Sequence, residues 1–306
     1  RERWTPTVRL AIKNSPTRRE IIRGFLAPRE SITMTNTLAN LLRPTRLLGA
    51  AALVGTSLLA GCGSDEDQTL KIGTVAGPET EVMQVALGIA KEKYDLDAEI
   101  VEFTDYVSPN AALADGSLDA NAFQHEPYMQ SMVEDRGYDF AIAGRTFVYP
   151  IGAYSEKFER IEDLPEGAVI ALPNDPSNEG RSLILMHNQG LIELDDPQNL
   201  EATPIDIIDN PNDFEFREIE AAQLPRVLPD VDLAFINNTF AQPAGLSLDD
   251  ALIKEGPESP YVNLIVVRGG DEDREAIQQL VDAYQSDAVI AKAEELFKGA
   301  AVPGWK

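Results

Sequence analysis

Cysteine is almost missing: the 306-residue chain holds one, Cys62, so no internal disulfide can form. Histidine is nearly as scarce, and His125 with only His187 for company offers no set of metal ligands. Positive charge is short too. Lys and Arg number 26 against 51 Asp and Glu, a formal charge of −25, which repels nucleic acid. No internal repeat recurs, which excludes a solenoid or propeller. The longest basic-flanked apolar run, "LLGAAALVGTSLLAG", falls below the roughly 20 residues a helix needs to cross a bilayer.

What is present is ample core material, 43% hydrophobic residues over a length that suits two lobes. Residues 1–33, with eight basic and three acidic side chains and no sustained apolar period, read as an upstream segment outside the fold. Met34 reads as a start. Arg43 and Arg46 then precede the apolar run, as in a signal peptide over 34–61. The run closes on "LLAGC", which resembles a bacterial lipobox. That resemblance implies that Cys62 is lipidated, becomes the first mature residue and anchors the protein to a membrane by acyl chains. The alternative on the residue alone is a buried free cysteine. "GSDEDQ" supplies a flexible tether within 62–69. Beyond residue 61, 16 basic residues face 48 acidic ones, a charge of −32. This fits either a solvated surface or adaptation to high salt, where repulsion is screened.

Folding is expected from about residue 70. "LKIGTVAG", the helical spacing of Val82, Val85, Ala86, Ile89 and Ala90, and "AEIVEF" make a β-α-β start that favours a parallel sheet. "SPNAALADG" predicts a short helix with Ser108 as its cap, and a short strand runs into Phe123. "FAIAGRTFVYPIGAYS" reads as one long strand that bends between lobes. A second series follows through "AVIALP", a helix ending before Gly190, and "VDLAFIN". "SPYVNLIVVR" gives a late strand that can return to the first lobe, and two helical segments close the chain. The fold class is therefore α/β, a clamshell with a ligand cleft between lobes, lobe one being 70–152 with 262–306 and lobe two 153–261.

"ALPNDPSNEGRSLIL", residues 171–185, breaks at two prolines between a strand and a helix. Asp175 can cap that helix with Pro176 in its first turn, leaving backbone N–H groups to meet an anion. Asn178 and Arg181 lie three apart, and the guanidinium fork suits a carboxylate. The stretch lacks the G-x-x-x-x-G-K-[ST] pattern of a polyphosphate cradle. A guanidinium reaching into an open cleft adds little to the ligand-free fold, so Arg181→Ala is expected to spare its stability.

"FTDYV", "DANAFQHEPYM", "TFVYP", "PNDPSNEGR", "FINNTFA" and "ESPYVNLIV" together resemble the NlpA-type family of methionine-binding lipoproteins of bacterial ABC importers, from about Leu70 to Trp305. Asn238 and Phe240 depart from the Thr and Tyr that family often carries. The resemblance implies a type II-like periplasmic binding protein on the periplasmic side of the cell envelope, lipid-anchored through Cys62. It implies that the protein closes on L-methionine or a close relative and delivers it to an ABC permease with its ATPase, without a cofactor. It implies that Arg181 holds the ligand carboxylate, that Asn178, Asn237 and Asn263 complete the polar end, and that Tyr106, Phe123, His125 and Tyr149 surround the thioether.

Without the resemblance, Tyr106, Phe123 and Tyr149 read first as core aromatics and His125 as a satisfied core histidine, whereas Asn263 in an apolar strand needs partners. An enzyme is the rival class, but Ser108 and Ser177 read as cap or turn residues without a His and acid beside them. A structural or adhesin lipoprotein is the third reading, and a methionine dipeptide, D-methionine or another amino acid are alternative ligands.

Overall fold

The computed structural model describes residues 69–256 and 259–306. The expectations for the upstream segment 1–33, the signal peptide 34–61, lipidated Cys62 and the tether as far as residue 68 lie outside the described residues.

The chain opens with β1 (Leu70–Val75), α1 (Pro78–Tyr94) and β2 (Ala98–Phe103). α1 begins on Pro78, carries Glu79 and Glu81 in its first turn and Lys91 and Lys93 in its last, matching the helix dipole at both ends. Val82, Ala86 and Ala90 are buried and Val85 and Ile89 half-buried, so the stripe set by their spacing is the face that packs. β1 and β2 pair in parallel, as a right-handed β-α-β unit requires.

α2 (Ser108–Ala114), β3 (Ala120–His125) and α3 (Glu126–Arg136) follow. Ser108 does not cap α2. The Asp105 carboxylate accepts the N–H groups of Val107 and Ser108 and the Ser108 hydroxyl, each at 2.7 Å, because a carboxylate is the stronger acceptor at a helix start. β3 is buried at every position although it carries Asn121, Gln124 and His125. Asn121 and Gln124 close a network with Asn110 of α2 at 2.7–2.9 Å, so these amides are satisfied in the interior.

The stretch read as one bending strand divides into β4 (Phe140–Val148) and β5 (Ile151–Tyr154). Pro150, which has no N–H for a ladder, lies between them, and the two halves join different sheets. β6 (Val169–Pro173), α4 (Pro176–Asn188), the paired β7 (Glu193–Leu194) and β8 (Ile207–Asp209), β9 (Glu215–Ile219), α5 (Leu224–Val227), β10 (Leu233–Asn237), α6 (Asn238–Ala241) and β11 (Ile253–Lys254) come next. β12 (Val262–Arg268), α7 (Glu275–Tyr284), α8 (Asp287–Phe297) and β13 (Val302–Pro303) complete the chain.

Two mixed sheets result, ordered β13-β4-β12-β3-β1-β2 and β11-β5-β10-β6-β9. β12 returns between β3 and β4, antiparallel to both. Each sheet is covered on both faces. Ile72, Met83, Phe147 and Leu280 form one core of the first sheet, and Leu113, Met129 and Val266 lie on its other side. In the second sheet Ile170, Leu183 and Phe235 form one core, and Leu224, Ala234 and Ile236 another. Each fully buried aliphatic or Phe side chain stabilises by about 1.5–3 kcal/mol, so both sheets are strongly held. The chain passes between the sheets at Tyr149–Pro150 and again between β11 and β12.

Candidate functional site

The site is organised by the start of α4. Asp175 is extended (φ −86°, ψ 140°) and its carboxylate accepts the Asn178 N–H at 2.9 Å, capping the helix as its sequence suggests. The capping carboxylate expected from the sequence is thus in place, and it occupies the Asn178 N–H. Gly180 is required by contact: a methyl group there would sit 2.3 Å from the Leu200 carbonyl oxygen and 2.8 Å from the Ala202 nitrogen. The 199–202 turn therefore lies directly on α4.

One cavity gathers all eight residues singled out in the sequence: Tyr106, Phe123, His125, Tyr149, Asn178, Arg181, Asn237 and Asn263. Phe123 and His125 come from β3 and Asn263 from β12, in the first sheet; Asn237 ends β10 of the second, and Asn178 and Arg181 lie on α4. Gln124, Tyr128, Asn238 and Thr239 line it as well.

Arg181 does not reach into an open cleft. It is 2% exposed, its Nε donates to Glu255 Oε1 at 2.9 Å, and its Nη2 donates to Glu255 Oε2 and to the Tyr149 carbonyl at 3.0 Å. The guanidinium also stacks over Tyr261, 4.4 Å from the ring centre. This corrects the expectation that its removal would leave the ligand-free fold untouched. Among the described residues, Nη1 has no hydrogen-bond partner.

The amides are arranged in series. Asn178 Nδ2 donates to both Asp175 oxygens, at 2.9 and 3.1 Å. Asn178 Oδ1 accepts from Asn237 Nδ2 at 2.9 Å and lies 3.2 Å from His125 Nε2. His125 Nδ1 accepts the Tyr128 N–H at 3.2 Å, so the neutral ring carries its proton on Nε2 and donates it to Asn178. Burial, then the neighbouring Arg181 charge, push His125 down to about 3 and keep it neutral. Asn237 Oδ1 and Asn238 Nδ2 are buried without a protein partner among the described residues, one an acceptor and the other a donor.

Glu79, at the start of α1, accepts from the Thr239 hydroxyl and from Asn263 Nδ2 at 3.3 Å, linking α1 to α6 beside the cavity. Burial pushes it up to about 7, against the lowering effect of those two donors. Asn263 Nδ2 also donates to the Phe123 carbonyl at 3.1 Å.

The aromatic wall is Tyr106 with Phe123, Tyr128 and Phe240, at centroid distances of 5.8, 5.9 and 4.9 Å. Tyr149 differs from its expected place in that wall. Its ring packs on Phe297 and Phe147, its hydroxyl lies 3.4 Å from that of Tyr284, and its carbonyl serves Arg181. His125 joins the amide series and also packs edge-on against Tyr128 of the wall, ring centres 6.3 Å apart. Sequence reasoning passed over Glu79, Tyr128, Thr239 and Glu255. Tyr128 stands inside a quoted motif and could have been found there, whereas no local pattern marks Glu255. Among the described residues, no three His, Cys, Asp or Glu side chains gather as a metal site, and no helix is long and apolar enough to cross a membrane.

Comparison with known proteins gives consistent matches. The model of the family described as NlpA lipoprotein matches residues 70–305. The chain is 51% identical over 262 residues to the probable D-methionine-binding lipoprotein MetQ of Vibrio cholerae, covering 85% of this chain and 97% of that one. A nutrient-binding protein from Burkholderia cenocepacia, solved bound to methionine, superposes with a TM-score of 0.76 at 49% identity, over 78% of this chain and all of that one. A periplasmic substrate-binding protein of an ABC transporter from Coxiella burnetii superposes with a TM-score of 0.75 at 48% identity, over 77% and 100% of the two chains. The α/β architecture with two mixed sheets is thus that of these binding proteins.

Proposed function

The chain belongs to the NlpA lipoprotein family, and from that premise we propose that it is the substrate-binding lipoprotein of an ABC importer. In this reading it holds methionine between its two sheets and passes it to a membrane permease driven by a separate ATPase. One observation carries the reading. A single cavity is lined by Asn237, Asn238 and Arg181, whose Oδ1, Nδ2 and Nη1 have no protein partner among the described residues, and by an aromatic wall. The acceptor suits an ammonium group and the donors a carboxylate. The wall suits a polarizable thioether.

The lobe boundary expected at 152/153 would cut β5 (Ile151–Tyr154), which lies wholly in the second sheet, so the lobes are better divided as residues 70–149 with 262–306 and residues 150–261. The changes of sheet at Tyr149–Pro150 and between β11 and β12 support two crossings where they would hinge. Lipid on Cys62 would hold the protein at the periplasmic face of a membrane, with 62–69 as tether. Methionine, the compound bound in the Burkholderia relative, is the ligand to seek first. Protein purified from its native membrane and then denatured should release about one methionine per chain by mass spectrometry, and its N-terminal peptide should carry acyl chains on Cys62. Release of an unrelated metabolite would overturn the ligand, and an unmodified Cys62 the anchor.

A further inference from the structure

We propose that Asp175 is a specificity-determining positioning residue: acting through Asn178, it holds the Asn237 amide with its oxygen toward the ligand, so that the site demands a hydrogen-bond donor on the ligand's α-carbon. The inference rests on the proposed amino-acid site and names what sets its polarity.

An amide can face a cavity with either end, and nothing in Asn237 itself decides which. The decision is made two residues away in contact. Asp175 receives the Asn178 N–H, Asn178 Nδ2 and the Ser177 hydroxyl at 2.9–3.1 Å, and every one of these groups donates to it. A carboxylate that accepts from Nδ2 through both oxygens forces Asn178 to turn Oδ1 the other way. That oxygen then requires donors, and Asn237 Nδ2 supplies one at 2.9 Å. His125 confirms the orientation from the other sheet. Its Nδ1 is committed to the Tyr128 N–H, so only its Nε2–H can meet Asn178, and it does so at 3.2 Å. With Nδ2 turned toward Asn178, Asn237 points Oδ1 the other way, and that oxygen is buried without a protein partner among the described residues. A buried acceptor without a donor is costly, and an ammonium group removes that cost while a carbonyl facing it does not.

Replacing Asp175 by Asn or Ser keeps a helix-capping side chain but removes the two-oxygen acceptor. Asn178 can then turn over, and Asn237 with it. The test is calorimetry, by competition where binding is weak, with three ligands: methionine, its α-hydroxy analogue and its α-keto analogue. The two analogues carry the same net charge, so their ratio cancels the simple loss of the Asp175 charge. They differ in whether the α-substituent can donate. Wild-type protein should bind methionine and should prefer the hydroxy over the keto analogue by roughly tenfold or more. In Asp175→Asn and Asp175→Ser that preference should shrink to about threefold or less, a change that a merely weakened fold would not produce because it lowers both affinities together. Wild-type protein that binds methionine but treats the two analogues alike overturns this inference alone and needs no variant. An undiminished preference in either variant overturns it as well. If wild-type protein does not bind methionine, the proposed function falls and this inference falls with it.

Discussion

Arg181 and Glu255, 74 positions apart in the sequence, form a two-point ion pair whose side chains are only 2% and 8% exposed. A buried pair of this kind is costly to assemble, yet removing one partner strands the other charge, at a cost of about 3–5 kcal/mol. Arg181→Ala should therefore lower both methionine affinity and the stability of the ligand-free protein. Changing Glu255→Ala in the same chain should recover part of the stability, because no charge is then left unpaired. Urea denaturation of the two single variants and the double variant checks this. Additive losses would show that the pair is not coupled.

Arg181→Lys should rescue the site only in part, since a point charge cannot serve Glu255, the Tyr149 carbonyl and a ligand from one planar fork.

Glu79 sets a pH dependence of known sign. Its carboxyl ordinarily releases its proton near 4.5 and in the fold near 7. The folded state thus binds the proton more tightly than the unfolded chain, and the associated stability is fully present below about pH 4.5 and lost as the pH rises to about 7. The full difference corresponds to about 3 kcal/mol. Glu79→Gln should flatten this slope while leaving an acceptor for Thr239. Glu179, raised to about 7 chiefly by burial and also by nearby carboxylates, remains in both proteins, so the difference between their curves isolates Glu79. Parallel stability curves from pH 4.5 to 8 would contradict the assignment.

Gly180→Ala sets two effects against each other. Alanine favours a helix by about 1 kcal/mol, but its methyl group would meet the backbone of the 199–202 turn, and such overpacking costs about 1–3 kcal/mol. The clash should win, lowering the melting temperature and, by displacing the first turns of α4, the affinity. A variant more stable than wild type would show that the turn simply moves away.

The parts of the fold visible in the sequence are those with local causes. The Val82–Ala90 stripe, the Asp175–Pro176 helix start and the all-apolar centre of β12 each carry their signal within a few residues. Ser108 loses the capping role its position suggests because its own hydroxyl and N–H are donated to Asp105, three residues earlier. All eight candidate residues line one cavity, but their division of labour is legible only in part. Nothing near Glu255 indicates that it folds onto Arg181, and nothing near Tyr149 indicates that its ring turns toward Phe297 while its carbonyl faces the guanidinium. Those roles arise from contacts distant in sequence, to which periodicity and spacing are blind.

The central claim is that the cavity between the two sheets binds methionine. Protein stripped of ligand by unfolding, dialysis and refolding should be titrated with methionine in a calorimeter. Saturable heat at one methionine per chain, with the methionine recovered unchanged afterwards, is the predicted result. Absence of heat with methionine in refolded protein, or conversion of the methionine to another compound, would contradict the account.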